Sequence, residues 1–285
     1  MGAELAVHER RAKALPVDVE IPPCPAILTR LLREVRAEEP DFRRVGQLIG
    51  ADVGLAAAII NIANSPYYGL RNKVATIQQA VSMLGLNAVT QRVTGLLLRQ
   101  AFGSSAGLGM ERYWKSSMMC ALTAAALSRE LRHGHHEVCH TYALFRDCGM
   151  AIMLQKFPIY ADIFDGSALA QGDLIHEIEG ERYGTTHAEI GARLASGWHL
   201  SEPMVEAIRN HHHFQQSEET LEGISPESRA LIAIGLAAEQ IYATAQGAAC
   251  PEWELAQEWV LEELSVTPER LAEAAESIAP SLARR

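Results

Sequence analysis

The chain has 285 residues, of which 48% are hydrophobic, so it has enough apolar residues for a large core and is not a disordered protein. Its formal net charge is −10, and it contains no block of lysines and arginines of the kind that neutralises nucleic-acid phosphates. It also contains no apolar run of 18 residues, and Glu4, Glu9, Arg10 and Arg11 stand where a signal peptide would be apolar. We therefore expect a soluble, cytoplasmic protein that binds neither nucleic acid nor membrane.

Apolar residues recur with a helical period along most of the chain, and strand-like alternation is scarce. In the first third, residues 27–35, 55–63 and 77–84 each trace one apolar helix face. Capping residues then mark further helix starts. They are Asp52, Thr76 with Gln79, Thr186 with Glu189, Ser225 before Pro226, and Thr267 before Pro268. The sequence therefore predicts an all-α protein.

Three low-order segments divide the predicted helices. Residues 16–25 are rich in proline, residues 103–109 read Gly-Ser-Ser-Ala-Gly-Leu-Gly, and residues 215–225 are polar. We predict that residues 103–109 act as a hinge between two helical lobes. The predicted parts are a charged N-terminal extension or linker at 1–20, an N-terminal helical lobe at 21–105, a second helical lobe at 106–245 and C-terminal helices at 246–285.

The first half of the chain carries a family resemblance. Residues 59–69 read Ile-Ile-Asn-Ile-Ala-Asn-Ser-Pro-Tyr-Tyr-Gly, and residues 77–86 read Ile-Gln-Gln-Ala-Val-Ser-Met-Leu-Gly-Leu. Both segments resemble the N-terminal half of HDOD domains, the HD-related output domains of bacterial signalling. Residues 21–26, Ile-Pro-Pro-Cys-Pro-Ala, are similar to the proline-rich start of that family.

The second half continues the resemblance in the same order. Residues 143–149, Ala-Leu-Phe-Arg-Asp-Cys-Gly, resemble the L-x-H-D-x-G helix of HD-type phosphohydrolases. Residues 186–191 resemble the D-H-A-E-x-G segment, and residues 208–212 resemble the closing I-x-x-H-H. The resemblance implies a multi-helical HD-like bundle preceded by an N-terminal helical lobe.

The catalytic relatives bind metal through a histidine on one helix, a His-Asp pair on the next and a distant aspartate. Here no histidine stands near Trp114, Arg146 replaces the histidine of the pair, and Glu239 corresponds to the last aspartate. Only Asp147 is retained. Because a guanidinium has no lone pair to donate, the incomplete ligand set predicts no catalytic residue, no metal and no cofactor. The chain is therefore expected not to be an enzyme.

His187, His211 and His212 match additional ligand positions of some HD relatives. With Arg146, Asp147 and Glu239 they are expected to line a degenerate HD pocket, in which the Arg146 guanidinium reaches Asp147, Glu239, His187 or His211. Plainer explanations stay open: His187 could bond a neighbouring carbonyl, and His211 and His212 could suit the negative end of a helix dipole. A second group, His133, His135 and His136, is interpreted as surface histidines.

Asn64, Ser65, Tyr67, Tyr68 and Gly69 form a second candidate site, read either as a structural loop or as a partner-binding surface. Asn-Ser-Pro ends a helix, because the residue before proline disfavours the α-helical region, and Gly69 permits a turn. Tyrosine is also enriched at protein interfaces.

The resemblance implies a non-catalytic regulatory module of bacterial signal transduction, such as a response-regulator output, that acts by protein contact. Its expected partners are signalling proteins, including receiver or cyclic-dinucleotide components, while its oligomeric state is left open. Two alternatives remain. One is a divergent metal-dependent phosphohydrolase, and the other is a sensor that binds a small anion or nucleotide beside Arg146.

Overall fold

The computed structural model describes residues 19–65, 73–103, 108–157, 159–164, 174–215 and 223–283. Within these ranges the secondary structure consists of α-helices and one short 3-10 helix, with no strand, which confirms the predicted all-α class. Three predicted features lie wholly or largely outside the described residues. They are the extension at 1–20, the Tyr67-Tyr68-Gly69 part of the candidate loop and residues 104–107 of the predicted hinge.

The chain divides into two compact units. One spans Pro23–Ser104, and the other comprises Met1–Pro22 together with Ser105–Arg285. We call them the first unit and the second unit.

The first unit contains five helices. They are α1 (Ala26–Val35), α2 (Phe42–Gly50), α3 (Val53–Ala63), α4 (Ile77–Leu84) and α5 (Leu86–Ala101). The predicted starts at Asp52 and Thr76 are confirmed: the Asp52 carboxylate caps α3, and Thr76 forms a capping box with Gln79 at the start of α4. The apolar faces of these helices form the core, which includes Leu28, Leu31, Ile49, Leu55, Ile59, Val81 and Leu98.

Asn64 ties the end of α3 to the segment before α4. Its side-chain amide donates to the carbonyl of Val74 at 2.8 Å, and the Val74 N–H donates to Asn64 Oδ1 at 2.7 Å. The N–H of the next residue, Ser65, donates to the carbonyl of Ile62. The described part of the Asn64-to-Gly69 segment thus has contacts that support its structural reading.

The second unit contains ten α-helices in its described residues. They are α6 (Leu108–Leu131), α7 (His136–Phe145), α8 (Cys148–Lys156), α9 (Tyr160–Phe164), α10 (Ile175–Tyr183), α11 (His187–Gly197), α12 (Glu202–Asn210), α13 (Pro226–Ala245), α14 (Pro251–Glu263) and α15 (Pro268–Ala283), with a 3-10 turn at His213–Gln215. The long helix α6 packs against α7, α13 and α15, while α11 packs between α8 and α12. The predicted caps at Thr186 and Ser225 are confirmed at α11 and α13.

A close approach between α8 and α11 depends on Gly149. A Cβ atom added there would lie 2.0 Å from the carbonyl oxygen of His187 and 2.9 Å from the backbone nitrogen of Gly191. Only glycine permits this contact, because every other residue would place a side chain against the backbone of α11. The contact brings the start of α8 beside the first residue of α11.

The described part of the proline-rich segment is held on the second unit. The indole Nε1 of Trp198 donates to the carbonyl of Pro22 at 2.9 Å, and Arg193 Nη2 donates to the carbonyl of Val19 at 3.4 Å. Trp198 is fully buried. These bonds fix the backbone of residues 19–22 beside α11.

No single helix among the described residues is both long enough and apolar enough to cross a membrane. The consecutive helices Phe42–Gly50 and Val53–Ala63, bent by 120°, satisfy the length and composition criteria only as a pair.

Candidate functional site

Arg146 and Asp147 stand at the junction of two helices, where Arg146 ends α7 and Asp147 precedes α8. Arg146 Nη2 lies 2.8 Å from Asp147 Oδ2 and 2.9 Å from Glu239 Oε2, which confirms that this guanidinium reaches both carboxylates. Its Nε contacts both oxygens of Asp147, and its Nη1 donates to the carbonyl of Gly235 at 3.3 Å. Arg146 is only 5% exposed, so it is a buried cation fixed by protein acceptors.

The two carboxylates compete for this one guanidinium. Burial raises the pKa of Asp147, but Arg146 and His211 together outweigh burial and hold this pKa well below its usual range. Burial, with a smaller contribution from the carboxylates of Glu252 and Asp147, raises the pKa of Glu239 to about 7 despite the attraction of Arg146. Asp147 therefore holds a full negative charge, while Glu239 titrates near neutral pH.

Three histidines converge beside Asp147. The Nε2 atom of His187 lies 3.3 Å from Nε2 of His211 and 2.9 Å from Nε2 of His212. Asp147 Oδ1 lies 3.3 Å from His211 Nε2 and 3.7 Å from His187 Nε2. The six residues predicted for the degenerate HD pocket thus form one cluster, built from the junction of α7 and α8, the start of α11, the end of α12 and α13.

The opposite ring nitrogens of these histidines face oxygen atoms. His187 Nδ1 lies 2.7 Å from Glu179 Oε2, and His211 Nδ1 lies 2.7 Å from the carbonyl of Ile208. His212 Nδ1 lies 2.6 Å from Glu252 Oε1, although their alignment is not that of a hydrogen bond. His187 thus contacts a carboxylate rather than the neighbouring carbonyl considered from the sequence.

Glu179 is the buried acceptor that orients His187. It is fully buried on α10 and accepts hydrogen bonds from the Tyr160 hydroxyl and from the backbone N–H of His187 at 2.8 Å. Burial lowers the pKa of His187, but the carboxylates of Glu179, Asp147 and Glu252, with Glu179 contributing most, together outweigh burial, so the net shift is upward.

The surroundings of His211 and His212 disfavour their charged forms. Burial, with the neighbouring His212, lowers the pKa of His211 to about 3. Burial, followed by His187 and His176, lowers the pKa of His212 well below its usual value. These downward shifts give no support to the explanation by the helix dipole, which requires cationic rings.

A fourth imidazole lies against this cluster. His176 stacks on His212 with ring centroids 4.2 Å apart and an interplanar angle of 15°. Its Nδ1 lies 3.8 Å from Glu252 Oε1 and has no hydrogen-bond partner among the described residues. His176, Glu179 and Glu252 were missed by sequence reasoning, because no capping motif or spacing marks them and they join the site only through tertiary packing.

A cavity of about 250 Å³ opens beside the cluster. The polar groups on its wall come from Tyr113, Ser116, Ser117, Arg146, Asp147, His212, Glu239 and Glu252. Ser116 and Ser117 therefore lie at the pocket, in the segment where catalytic relatives carry their first histidine. With three carboxylates and one guanidinium, the lining favours positive rather than negative ligands.

Two sets of side chains have metal-binding geometry. One is His187, His211 and His212, and the other is His176, His212 and Glu252; within each set the ligand atoms lie within 4.8 Å of one another. The expectation of no metal came from counting the HD positions. The imidazole geometry argues against that expectation, because a convergent histidine set exists beside the substituted positions.

The other predicted histidine group lies at the turn between α6 and α7. His135 is exposed, His133 and His136 are half-buried, and His136 Nε2 lies 2.9 Å from Glu137 Oε1. This group does not contribute to the cluster.

The sequence pattern of the HDOD domain family matches residues 21–214. An uncharacterized protein of Treponema pallidum (strain Nichols) is 23% identical over 204 residues, which cover 70% of this chain and 39% of that protein. The uncharacterized protein YuxH of Bacillus subtilis (strain 168) is 37% identical over 59 residues, which cover 21% of this chain and 14% of that protein. The chain therefore spans less than half the length of either curated relative.

Solved structures share the fold. A protein from Shewanella amazonensis SB2B, whose name proposes a phosphohydrolase, matches with a TM-score of 0.71 at 23% identity, covering 96% of this chain and 93% of that chain. A protein from Marinobacter aquaeolei VT8, whose name proposes a signal transduction protein, matches with a TM-score of 0.73 at 19% identity, covering 99% of this chain and 64% of that chain. An HDOD domain protein of unknown function from Geobacter sulfurreducens matches with a TM-score of 0.65 at 18% identity, covering 98% of this chain and 97% of that chain.

Proposed function

Because this chain belongs to the HDOD domain family, we propose that it is a non-catalytic regulatory module of bacterial signal transduction. It acts in the cytoplasm through contact with other signalling proteins, for example as the output of a response regulator. The name of the Marinobacter protein, which proposes signal transduction, agrees with this role.

The position of the Arg146 guanidinium is the observation that supports the non-catalytic part of this proposal. In the HD arrangement that the sequence resembles, the position of Arg146 supplies a histidine to the catalytic metal. Here that position holds a buried cation, 2.8 Å from Asp147 and 2.9 Å from Glu239. A guanidinium cannot ligate a metal, and it pairs with both carboxylates of the HD centre, so the ligand arrangement that hydrolysis requires is incomplete.

The charge of the cavity argues against the sensor of small anions. The Arg146 guanidinium already contacts Asp147, Glu239 and the carbonyl of Gly235. A phosphate would have to displace these partners and would then face the remaining carboxylates, including Glu252. Because negative charges that lie close together inside a protein repel strongly, these carboxylates disfavour the binding of an anion.

Hydrolysis assays test the non-catalytic proposal directly. The purified chain is incubated with phosphomonoesters, nucleotides and cyclic dinucleotides in the presence of magnesium, manganese, iron or zinc. We expect no turnover above that of a folded Asp147→Ala variant. Metal-dependent hydrolysis that disappears in Asp147→Ala would show that the divergent phosphohydrolase is the correct function.

The protein-contact proposal needs a partner measured with purified components. Crosslinking in the native cytoplasm identifies candidates, and titration with the purified candidate gives its affinity. We expect a surface variant that abolishes binding to abolish the signalling output as well. If the output persists when binding is lost, regulation through that contact is excluded.

A further inference from the structure

The three imidazoles of the site present their Nε2 atoms to one another. Each opposite nitrogen, Nδ1, faces an oxygen atom: a carboxylate oxygen of Glu179 for His187, the carbonyl of Ile208 for His211, and a carboxylate oxygen of Glu252 for His212. Since a carbonyl or carboxylate oxygen accepts a proton donor, the ring hydrogens of His187 and His211 belong on Nδ1, and the 2.6 Å approach of His212 Nδ1 to Glu252 Oε1 favours the same tautomer. The Nε2 lone pairs then converge on one point.

Asp147 adds another acceptor to the same point. Its Oδ1 lies 3.3 Å from His211 Nε2 and accepts from Arg146 Nε at 3.2 Å, while its Oδ2 accepts from Arg146 Nη2 at 2.8 Å. Because each carboxylate oxygen has two lone pairs, Oδ1 can contact Arg146 and also hold a cation that lies among the three Nε2 atoms. The outer contacts of the three histidines are those typical of metal ligands, whose second nitrogen donates to a carboxylate or a backbone carbonyl.

From this geometry we propose that His187, His211, His212 and Asp147 bind one divalent transition-metal ion. His187 Nε2 lies 2.9 Å from His212 Nε2 and 3.3 Å from His211 Nε2, and Asp147 Oδ1 lies 3.3 Å from His211 Nε2 and 3.7 Å from His187 Nε2. Ligands about 2.1 Å from a tetrahedral zinc ion lie roughly 3.4 Å apart, so the set needs only small shifts to close around an ion. Three imidazoles and one carboxylate suit zinc or a neighbouring first-row metal.

The ligand set formed by His176, His212 and Glu252 is less suited to the same ion. The rings of His176 and His212 are stacked nearly parallel, at 15°, so the lone pairs of their facing nitrogens run side by side rather than converging. His212 Nδ1 faces Glu252 Oε1 at 2.6 Å, whereas its Nε2 lies 2.9 Å from Nε2 of His187, so Nε2 is the atom directed at the proposed ion. We therefore assign His176 and Glu252 to the surroundings of the ion rather than to its ligands.

Of the four HD positions considered from the sequence, the proposed site uses only Asp147, and its three histidines are those that match additional ligand positions of some HD relatives. It joins the start of α8, the start of α11 and the end of α12, so a bound ion would hold three elements of the second unit together. Binding to the folded chain alone stabilises it by mass action. This inference goes beyond the proposed regulatory function and does not depend on it, because binding is measured without turnover.

Metal titration of the full chain tests the site. Protein stripped with a chelator is loaded with Zn²⁺, desalted and analysed for metal content, and Co²⁺ is used as an optical probe of coordination geometry. We expect one equivalent of zinc, the visible bands of tetrahedral Co²⁺, and a thermal midpoint raised by about 5–10 °C when free metal exceeds its Kd about 100-fold. Failure of the wild-type chain to retain zinc would overturn the proposal.

Matched histidine variants locate the ion. His187→Gln and His212→Gln should lose the zinc equivalent and the Co²⁺ bands, whereas His176→Gln should keep both. The triple variant His133→Gln, His135→Gln, His136→Gln should also keep both. Circular dichroism verifies folding; if His187→Gln does not fold, loss in His212→Gln with retention in His176→Gln still assigns the site.

Two results with these variants would contradict the assignment. Loss of zinc in His176→Gln with retention in His187→Gln would place the ion in the stacked set. Loss in the triple variant alone would place it at the turn between α6 and α7.

Discussion

The two units of the chain treat polar side chains in opposite ways. Among the described residues of the first unit, the buried polar side chains are Thr90 and Thr94, and each hydroxyl donates at 2.8 Å to the carbonyl four residues earlier in its own helix. The charged side chains described there are exposed or half-buried. In the second unit, by contrast, Arg146 and Glu179 are buried together with the imidazoles of His187 and His211.

This difference indicates that the first unit is a structural scaffold and that the second unit contains the candidate functional site. Burying a charge costs several kcal/mol even after relaxation, and a buried ion pair adds less stability than apolar packing of the same volume would. The first unit therefore derives its stability from apolar packing. The second unit maintains a charged cluster that packing alone does not require, which is the pattern of a functional site.

Removing the buried cation, Arg146, is the strongest test of this difference between the two units. Arg146→Met leaves Asp147 and Glu239 without the guanidinium that contacts both of them. We expect the free energy of unfolding to fall by about 3–5 kcal/mol, because an uncompensated charge stays buried. Denaturant unfolding in the presence of a chelator measures the loss, and tryptophan fluorescence reports the second unit, which contains all four tryptophans.

Arg270→Met is the matched control for this measurement. Arg270 Nη2 lies 3.2 Å from Glu130 Oε1, but the two side chains are 40% and 35% exposed. Because exposed ion pairs contribute about 0–1 kcal/mol, the control should lose little stability. Equal losses in the two variants would show that the buried cluster is energetically no different from the surface.

A second test concerns the close approach that brings α8 to α11. In Gly149→Ala the new Cβ would meet the carbonyl oxygen of His187 at 2.0 Å, so one helix must shift. We expect a loss of about 2–3 kcal/mol by the same fluorescence assay, since overpacking of this kind is destabilising. Gly197→Ala, where nothing lies within 4 Å of the added atom, should be neutral or slightly stabilising. A Gly149→Ala variant as stable as Gly197→Ala would show that this contact does not constrain the site.

Local signals in the sequence predicted the helices well. Asp52, Thr76, Thr186 and Ser225 cap helices as expected, because a cap depends on residues within one turn of it. The contact of Arg146 with Asp147 and Glu239 was also predicted, but through the family resemblance. Residue spacing alone could not have paired Arg146 with a residue 93 positions away (239 − 146).

The outer contacts of the site could not be predicted in this way. Glu179, His176 and Glu252 lie on α10 and α14 and reach the imidazoles only when these helices pack around α11 and α12. In the sequence each is an ordinary polar residue of a helix. The expectation of no metal rested on counting the ligands at the HD positions. It did not include the acceptor groups, such as Glu179, that face the histidine rings and determine which ring nitrogen carries the proton.

The smallest expected effect distinguishes a carboxylate held by neutral donors from those held by ions. Glu206 Oε2 accepts from the Ser225 N–H at 3.0 Å and from the hydroxyls of Ser225 and Ser228 at 2.6 Å each. These hydroxyl bonds outweigh burial and lower the pKa of Glu206 below its ordinary value of 4.5. The folded state therefore binds fewer protons than the unfolded state near pH 4, and stability rises with pH there.

We expect Glu206→Gln to lower the free energy of unfolding by about 1–2 kcal/mol at pH 7 and by less as the pH falls below about 4.5, since the wild-type advantage is lost as Glu206 protonates. Urea unfolding at pH 7 and pH 4 measures both values, with the exposed Glu258→Gln as control. A cost that stays constant between these pH values would mean that the charge of Glu206, unlike that of Asp147, contributes nothing to the fold.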